Sequence, residues 1–277
     1  MNRLFLLVLA VAGFLSLPLF AADVDVFIQA GQSNSDGRGA ATQLIGPLEK
    51  WAKPQADVLI AYSCSKLKGP QLRTDGFQPL QPGWSVAPAV RNKATLPTNT
   101  FGPELSFGRT LADRLPGRTI VLIKFTEGGT SLEKDWNPER KDRLYPAFLA
   151  FTRESLEALR QAGHTPTIRG MIWHQGESDA KLATEDYQAR LTAFIIRVRK
   201  DLDVPNLPFG IGEVYDNSER DSIRAAQKAV TVAVPHTYLV TVEGLKTFDQ
   251  GVHFDAAGQI TLGERFATGM LKMLKAR

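Results

Sequence analysis

Gly31-Gln32-Ser33-Asn34 holds the side chain with the clearest chemical potential in this sequence. It follows residues 24–30, a largely apolar, β-branched run that predicts a short buried strand. In an open α/β sheet, the carboxyl ends of the strands form the edge where ligands bind. A serine on a tight strand-to-helix turn there can expose its hydroxyl and direct backbone N–H groups at a developing oxyanion. Glycine and serine are also ordinary turn residues, so the motif predicts chemistry only if partners follow other strands.

Polar residues also cluster after three later strand-like runs, in turns at 127–131, 173–179 and 249–254. The first turn has a glycine pair that can bring backbone N–H groups close to a ligand, and the other two each have a histidine and at least one carboxylate. Because the carboxyl ends of parallel strands meet at one edge, we expect all three turns to lie beside Ser33. Together they could supply a nucleophile, oxyanion donors, a general base and a carboxylate.

Strand-like and helical patterns alternate after residue 22. The strand-like runs are 24–30, 56–62, 118–125, 167–173, 207–214 and 237–242. Their continuous apolar character is typical of parallel strands that are covered on both faces. Amphipathic segments lie at 103–115, 145–162, 185–202, 220–234 and 255–275. This alternation predicts an α/β fold, a three-layer sandwich around a parallel sheet, and no linker marks a second domain within 23–277.

The composition is that of an ordinary globular protein, with 43% hydrophobic and 22% charged residues. The net charge is only +4 and the 33 basic residues are scattered, so no nucleic-acid partner is expected. Cys64 is the only cysteine, which excludes an intramolecular disulfide, and we interpret it as a small buried apolar residue. No pair of histidine, cysteine or carboxylate residues has metal-ligand spacing, so neither a metal nor another cofactor is expected.

Residues 1–22 differ from the rest of the chain. A basic start at Arg3, an apolar run over 4–20 and two alanines ending at Ala22 predict a secretory signal peptide. The chain would then be secreted or periplasmic, with no membrane contact after cleavage. Phe20, not a small residue, stands three positions before that cut, so a retained anchor is the alternative. The run is short for a spanning helix, which needs about 20 residues.

The four turns also carry a family resemblance. The matching blocks are Gly31-Gln32-Ser33-Asn34, Gly128-Gly129-Thr130, Trp-His-Gln-Gly-Glu at 173–177 and Gly-Val-His-Phe at 251–254. In this order they resemble the sialate O-acetylesterase domain of the SGNH hydrolases, which is similar to carbohydrate esterase family 6, the acetyl xylan esterases. The resemblance extends from about Asp25 to the last predicted helix. It implies a flavodoxin-like three-layer fold and hydrolysis of O-acetyl esters on sugars.

The resemblance also implies roles for individual residues. Ser33 would be the nucleophile, and His253 the base that takes its proton and then protonates the departing sugar alcohol. The oxyanion would be held by the backbone N–H of Ser33, a backbone N–H of Gly128 or Gly129, and the side-chain amide of Gln175.

Two carboxylates could support His253. Many SGNH hydrolases have an aspartate three residues before the histidine, but that position is Gln250 here. Asp249 lies one residue earlier and would reach the histidine only if the local turn is rearranged. Glu177 is the competitor, because the glutamate of its block supports the histidine in some family 6 esterases. We therefore favour Glu177 and expect Glu177→Gln to lose more kcat than Asp249→Asn.

Arg38, Trp84 and Trp136 are candidate contacts for a sugar face or a carboxylate, and each could instead pack within a loop. Trp84 belongs to a long irregular region, 63–100, which is either a binding loop or a surface excursion. Selectivity for one glycan would lie in this region and in 130–145.

The sequence thus predicts a secreted carbohydrate O-acetylesterase with an acetyl-serine intermediate, acting on acetylated xylan, sialic acid or a similar glycan. An O-acetyltransferase would share that intermediate and differ in its acceptor. Because position 250 lacks an aspartate, a sugar-binding protein that has lost activity is a further alternative. A glycosidase that uses Glu177 and Asp179 is disfavoured. Carboxylates two residues apart in one turn are poorly placed to flank a glycosidic bond, which needs about 5 Å or more between them.

Overall fold

The computed structural model describes residues 22–64, 73–85, 99–249 and 251–276. The predicted signal peptide, apart from Ala22, and much of the irregular region 63–100 lie outside the described residues. The strands are β1 Asp23–Gly31, β2 Gly39–Ala40, β3 Gln55–Cys64, β4 Gln78–Leu80, β5 Thr100–Phe101, β6 Thr119–Thr126, β7 Thr165–His174, β8 Phe209–Gly212 and β9 Thr237–Val240. The helices are α1 Ser33–Asp36, α2 Glu104–Arg114, α3 Leu144–Gln161, α4 Thr184–Asp201, α5 Asp221–Ala233 and α6 Ala256–Lys275.

Seven of these strands form one sheet in the order β4-β3-β6-β1-β7-β8-β9. Its pairings are parallel, apart from that of β3 with the short β4 at one edge. Strands β6-β1-β7-β8-β9 have the second-first-third-fourth-fifth order of flavodoxin-like folds, and β3 and β4 extend the sheet beyond β6. The predicted parallel α/β fold is confirmed.

The central strand β1 is buried on both faces. Val26 and Ile28 pack into the apolar cluster that includes side chains of α3, α4 and α5. Phe27 points the other way, into the cluster that includes side chains of α2 and α6. Full burial of each such side chain stabilises the fold by roughly 1.5–3 kcal/mol. Helices therefore cover both faces of the sheet, which explains the continuous apolar run in the sequence.

The six predicted strands and five predicted helices correspond to the six parallel strands and to α2–α6, with ends shifted by a few residues. Sequence reasoning missed β4 and the β2–β5 pair, because two or three residues are too few to show a periodicity. None of the helices in the described residues is long and apolar enough to span a membrane. The same residues contain no group of three or more histidine, cysteine or carboxylate side chains that could hold a metal ion.

Candidate active site

The serine turn is built by a close approach of β1 to β7. Gly31 ends β1 with a φ of 138°, which side chains rarely tolerate, and a Cβ there would collide with the carbonyl oxygen of His174. The next N–H, that of Gln32, donates to the same oxygen at 3.0 Å. Ser33 then begins the one-turn helix α1, so its own N–H has no acceptor within the helix.

Ser33, His253 and Asp249 are joined in a chain of hydrogen bonds. His253 Nε2 lies 2.9 Å from Ser33 Oγ, and its Nδ1 lies 2.5 Å from Asp249 Oδ2. The other carboxylate oxygen, Oδ1, accepts the His253 backbone N–H at 2.6 Å. An ionised carboxylate can only accept, so Nδ1 carries the proton and Nε2 is left to accept the proton of Ser33. This arrangement can activate a serine as a nucleophile.

Asp249 reaches His253 because the surrounding chain closes into a tight hairpin. Thr247 and Phe254 form an antiparallel bridge, and the Gly251 N–H donates to Thr247 Oγ1 at 3.0 Å. Gly251 has a φ of 89°, which glycine adopts without strain. The hairpin thus accommodates the extra residue between aspartate and histidine.

Glu177 lies against other partners. Its Oε1 accepts a hydrogen bond from Asn34 Nδ2 at 2.7 Å and is 3.6 Å from His174 Nε2. The expectation that Glu177, and not Asp249, contacts His253 is therefore wrong. Burial has the largest influence on the Glu177 pKa and would raise it. The contacts with His174 and Asn34 outweigh burial and lower that pKa to about 2, so the carboxylate is ionised at neutral pH.

Asn34 connects the serine turn to the histidine loop. Its Nδ2 also donates to the Val252 carbonyl at 2.8 Å, and its Oδ1 accepts the Phe254 N–H at 3.2 Å. These two residues flank His253, so the side chain next to Ser33 fixes the backbone on both sides of the base. Sequence reasoning missed this function of Asn34, whose only signal was its place beside the serine.

The glycine pair after β6 lies beside the nucleophile. A Cβ built on Gly128 would be 3.6 Å from Ser33 Cβ, so the Gly128 backbone borders the serine directly. Gly129 follows with a φ of 68° and is exposed to solvent. Of the two predicted glycine donors, Gly128 is therefore the one whose proximity to Ser33 is established.

The side-chain amide of Gln175 is bound to other residues of the protein, including Gln32, whose Oε1 accepts from its Nε2 at 3.2 Å. Its Nε2 donates to Asp179 Oδ2 at 2.5 Å and to the Thr130 carbonyl at 3.0 Å, and its Oε1 accepts from Tyr187 OH at 3.1 Å. The side chain is fully buried. The expectation that this amide faces the oxyanion is therefore wrong, because its donors already brace the turns that follow β6 and β7.

A comparison with known protein families shows to which family this chain belongs. The family model of the carbohydrate esterases described as sialic acid-specific acetylesterases matches residues 23–272. The chain belongs to this family. It is an esterase that acts on acetyl esters, as the family resemblance of the four turns implies. The match spans all four turns of the candidate site and nearly all of the described residues.

Solved structures support the fold of this esterase. A protein from Arabidopsis thaliana is 22% identical, with a TM-score of 0.69 over 90% of this chain and 98% of that one. A carbohydrate acetylesterase from Xanthomonas citri is 20% identical, with a TM-score of 0.59 over 91% of this chain and 57% of that one. An inhibitor-bound aryl esterase from M. smegmatis is 12% identical, with a TM-score of 0.50 over 91% of this chain and 100% of that one. Comparison with curated proteins finds no significant sequence match.

Of the three predicted substrate contacts of the esterase, Arg38 lies at the edge of the site. Its side chain is 4% exposed, and Nη1 forms a 2.5 Å ion pair with Asp36 and donates to the Gly37 carbonyl at 2.7 Å. Its Nη2 is directed at Gly128, where a Cβ would lie 2.8 Å away. Arg38 therefore borders the same glycine as Ser33.

Trp136 does not face a substrate. It is fully buried, stands edge-to-face with Trp173 at 5.0 Å, and donates its indole N–H to Thr130 Oγ1 at 2.9 Å. Its predicted contact with a sugar is wrong, because the ring belongs to the core beneath α3.

Trp84 packs in the β3–β4 region of the esterase. Its indole N–H donates to the Pro79 carbonyl at 3.2 Å. Its own carbonyl accepts from the buried ammonium of Lys124 at 2.6 Å, and that ammonium also donates to the Asp36 carbonyl. These contacts anchor the Trp84 segment beneath the serine turn, and none of them directs the ring at Ser33.

An aromatic side chain that sequence reasoning missed lies beside the base. The Phe248 ring centroid is 5.9 Å from that of His253, the two planes are 18° apart, and the residue is 42% exposed. The hairpin holds it there, because the Phe248 N–H donates to the His253 carbonyl at 3.1 Å. The ring therefore offers the esterase an apolar surface beside the histidine.

Proposed function

We propose that this esterase removes O-acetyl groups from carbohydrates through an acetyl-Ser33 intermediate. The observation that carries the proposal is the hydrogen-bonded chain from Ser33 through His253 to Asp249. Ser33 Oγ attacks the acetyl carbonyl while His253 Nε2 takes its proton, and Asp249 stabilises the imidazolium that forms. His253 then gives the proton to the departing sugar oxygen. Water, activated by the same histidine, attacks the acetyl-serine and releases acetate.

The negative charge on the carbonyl oxygen needs donors at the serine turn. We assign the backbone N–H of Ser33 and that of Gly128 to this role. The Ser33 N–H lies at the start of α1, and Gly128 is the glycine that borders the serine. In serine hydrolases, the loss of one such donor costs about 3–4 kcal/mol of transition-state stabilisation.

The proposed substrate class is an O-acetylated glycan, such as acetylated xylan or O-acetylated sialic acid. The family supports an acetylated sugar, and the exposed Phe248 ring beside His253 supports an apolar contact for the departing sugar. Acetate release from a panel of acetylated glycans with equal acetyl content would rank them. A panel in which no glycan ester is cleaved faster than a simple alkyl acetate would contradict the proposed substrate class.

Ser33→Ala tests the mechanism. We expect acetate release from a chromogenic acetyl ester to fall by at least ~10³-fold, because the acetyl-serine can no longer form. Ser35→Ala is the matched control. Ser35 lies in the same turn and donates to the Ala30 carbonyl at 2.9 Å, so this variant should keep its activity if it folds. Equal activity of Ser33→Ala and wild type would overturn the proposed mechanism.

A wild type that binds acetylated glycans without cleaving them would favour the sugar-binding alternative.

We also propose that the protein is exported, on the basis of residues 1–22, most of which lie outside the described residues. Expression of the full chain in a bacterial host, followed by N-terminal sequencing of the periplasmic and extracellular protein, tests this. Export with cleavage predicts a mature chain that begins at Asp23. A full-length chain in the membrane fraction would identify a retained anchor.

A further inference from the structure

Arg38 has hydrogen-bonding capacity that the protein does not use. Its Nη1 protons are taken by Asp36 and by the Gly37 carbonyl. No described residue accepts a hydrogen bond from Nη2, although the side chain is 4% exposed. The Nε of this guanidinium is buried and has no partner among the described residues, whereas Nη2 is not one of the buried unpaired atoms and is therefore accessible from the site. Nη2 is therefore a donor that a ligand in the site can reach.

The position of Nη2 indicates which ligand. The point where a Gly128 side chain would begin is 2.8 Å from Nη2 and 3.6 Å from Ser33 Cβ. Nη2 and Ser33 therefore border the same small volume, and that volume is open because residue 128 is a glycine. In the proposed reaction, the carbonyl oxygen of the ester lies between the Ser33 and Gly128 N–H groups.

We propose that Arg38 is a further catalytic residue, whose Nη2 donates to the ester carbonyl oxygen and to the oxyanion that forms from it. This rests on the proposed function. Arg38 would supply the third donor, which Gln175 does not provide, because the Gln175 amide is bound to Asp179 and Thr130. A charged donor stabilises a full oxyanion more strongly than a neutral ester carbonyl, so its contribution is largest in the transition state.

The surroundings of Arg38 suit this role. Its partner Asp36 also accepts hydrogen bonds from Tyr62 OH at 2.8 Å and from Thr126 Oγ1 at 2.7 Å on Oδ1, which leaves Oδ2 for the guanidinium. The guanidinium is therefore held in place before the substrate binds, and no reorganisation is needed as charge develops. The charge of Asp36 offsets that of Arg38, so Arg38 does not strongly repel the imidazolium of His253.

Steady-state kinetics of Arg38→Met and Arg38→Lys test the proposal on a soluble acetyl ester. We expect Arg38→Met to lower kcat by about 10²–10³-fold with KM within about threefold of the wild type. Arg38→Lys should keep part of the rate, because it keeps the charge and loses the planar fork. Arg38→Ala should regain activity when guanidinium is added below its denaturing range. A loss confined to KM, or no rescue by guanidinium, would overturn the proposal.

Arg118→Met is the matched control, because it removes an arginine–aspartate ion pair of the same 2.5 Å length, with Asp25, near the opposite end of β1. Its kcat should stay unchanged, with no response to guanidinium. If Arg38→Met does not fold, the phosphonylation rate of Ser33 in Arg38→Lys decides, and a rate equal to the wild type overturns the proposal. Failure of the proposed function would be distinct, because Ser33→Ala would then stay active.

Discussion

Asn34 and Glu177 share a 2.7 Å hydrogen bond that joins the serine turn to the turn after β7. The same amide of Asn34 holds the backbone on both sides of His253. Glu177 thus fixes the orientation of an amide that positions the base, although it does not contact the base. Asn34 is buried and directly follows Ser33 in the chain. The spacing of the nucleophile and the base therefore depends on this one residue.

The contact of Asp249 with His253 predicts the order of two conservative variants. Asp249→Asn should lower kcat by roughly 10³–10⁴-fold, because an amide neither stabilises the imidazolium by charge nor enforces the required tautomer. Glu177→Gln should lose less than about tenfold, since the Gln oxygen can still accept from Asn34 Nδ2. Rates on one acetyl ester at neutral pH measure both effects. A larger loss for Glu177→Gln would restore the sequence-based expectation.

Asn34→Ala should affect both stability and turnover. It leaves the Val252 carbonyl and the Phe254 N–H without their partner, so we expect the free energy of unfolding to fall by about 1–3 kcal/mol. Since His253 would lose its fixed position, kcat should also fall by at least ~10-fold. Urea denaturation and steady-state kinetics measure these effects. A stability loss with unchanged kcat would show that Asn34 braces the fold without positioning the base.

The low pKa of Glu177 predicts a pH-dependent contribution to stability. Burial alone would raise this pKa, but the contacts with His174 and Asn34 lower it from 4.5 to about 2. Because the pKa is lower in the folded state, the ionised group contributes stability above about pH 4.5. That contribution, about 3 kcal/mol, is lost as the pH falls towards 2. Glu177→Gln should therefore be less stable than the wild type at pH 7, and the difference should shrink below pH 4.5. Urea denaturation at several pH values measures this, and a difference that is independent of pH would contradict it.

The sequence was sufficient to predict where the site lies. Continuous apolar runs predict parallel strands, and parallel strands bring their carboxyl ends together, so the pattern placed the turns of Ser33 and His253 at one edge. The family resemblance then implied which role each of the two residues has. The directions of turn side chains could not be predicted in this way. Gln175 points into the protein because Asp179 and Thr130 bind its amide, and those contacts exist only in the folded state.

The same limit explains why the sequence favoured Glu177 over Asp249 as the partner of His253. Separation along the chain disfavoured Asp249, which lies one residue farther from His253 than the common pattern has it. The hairpin, with Gly251 at positive φ, overrides that separation. A long-range contact such as that of Glu177 with Asn34 has no local signature at all. Periodicity therefore predicts elements and their order, whereas hydrogen-bond partners across the sheet edge depend on tertiary packing.

Phe248 provides the last prediction. Its exposed ring lies beside His253, where the departing sugar must accept a proton, so we expect it to contact the apolar face of the sugar. Such a contact is worth about 0.5–1.5 kcal/mol, which corresponds to roughly two- to tenfold in affinity. Phe248→Ala should therefore raise KM by up to about tenfold for an acetylated oligosaccharide and change kcat/KM for ethyl acetate by less than twofold.

The control for Phe248→Ala is Val232→Ala, which removes an apolar side chain that is 85% exposed on α5 and should change neither substrate. Phe248→Leu tests the ring itself, because it keeps an apolar side chain and should show an intermediate KM. Equal losses on the oligosaccharide and on ethyl acetate would mean that Phe248 acts on His253 and not on the sugar. A shift in the pH dependence of kcat/KM would accompany that outcome, since the stacked ring would then be setting the environment of the base.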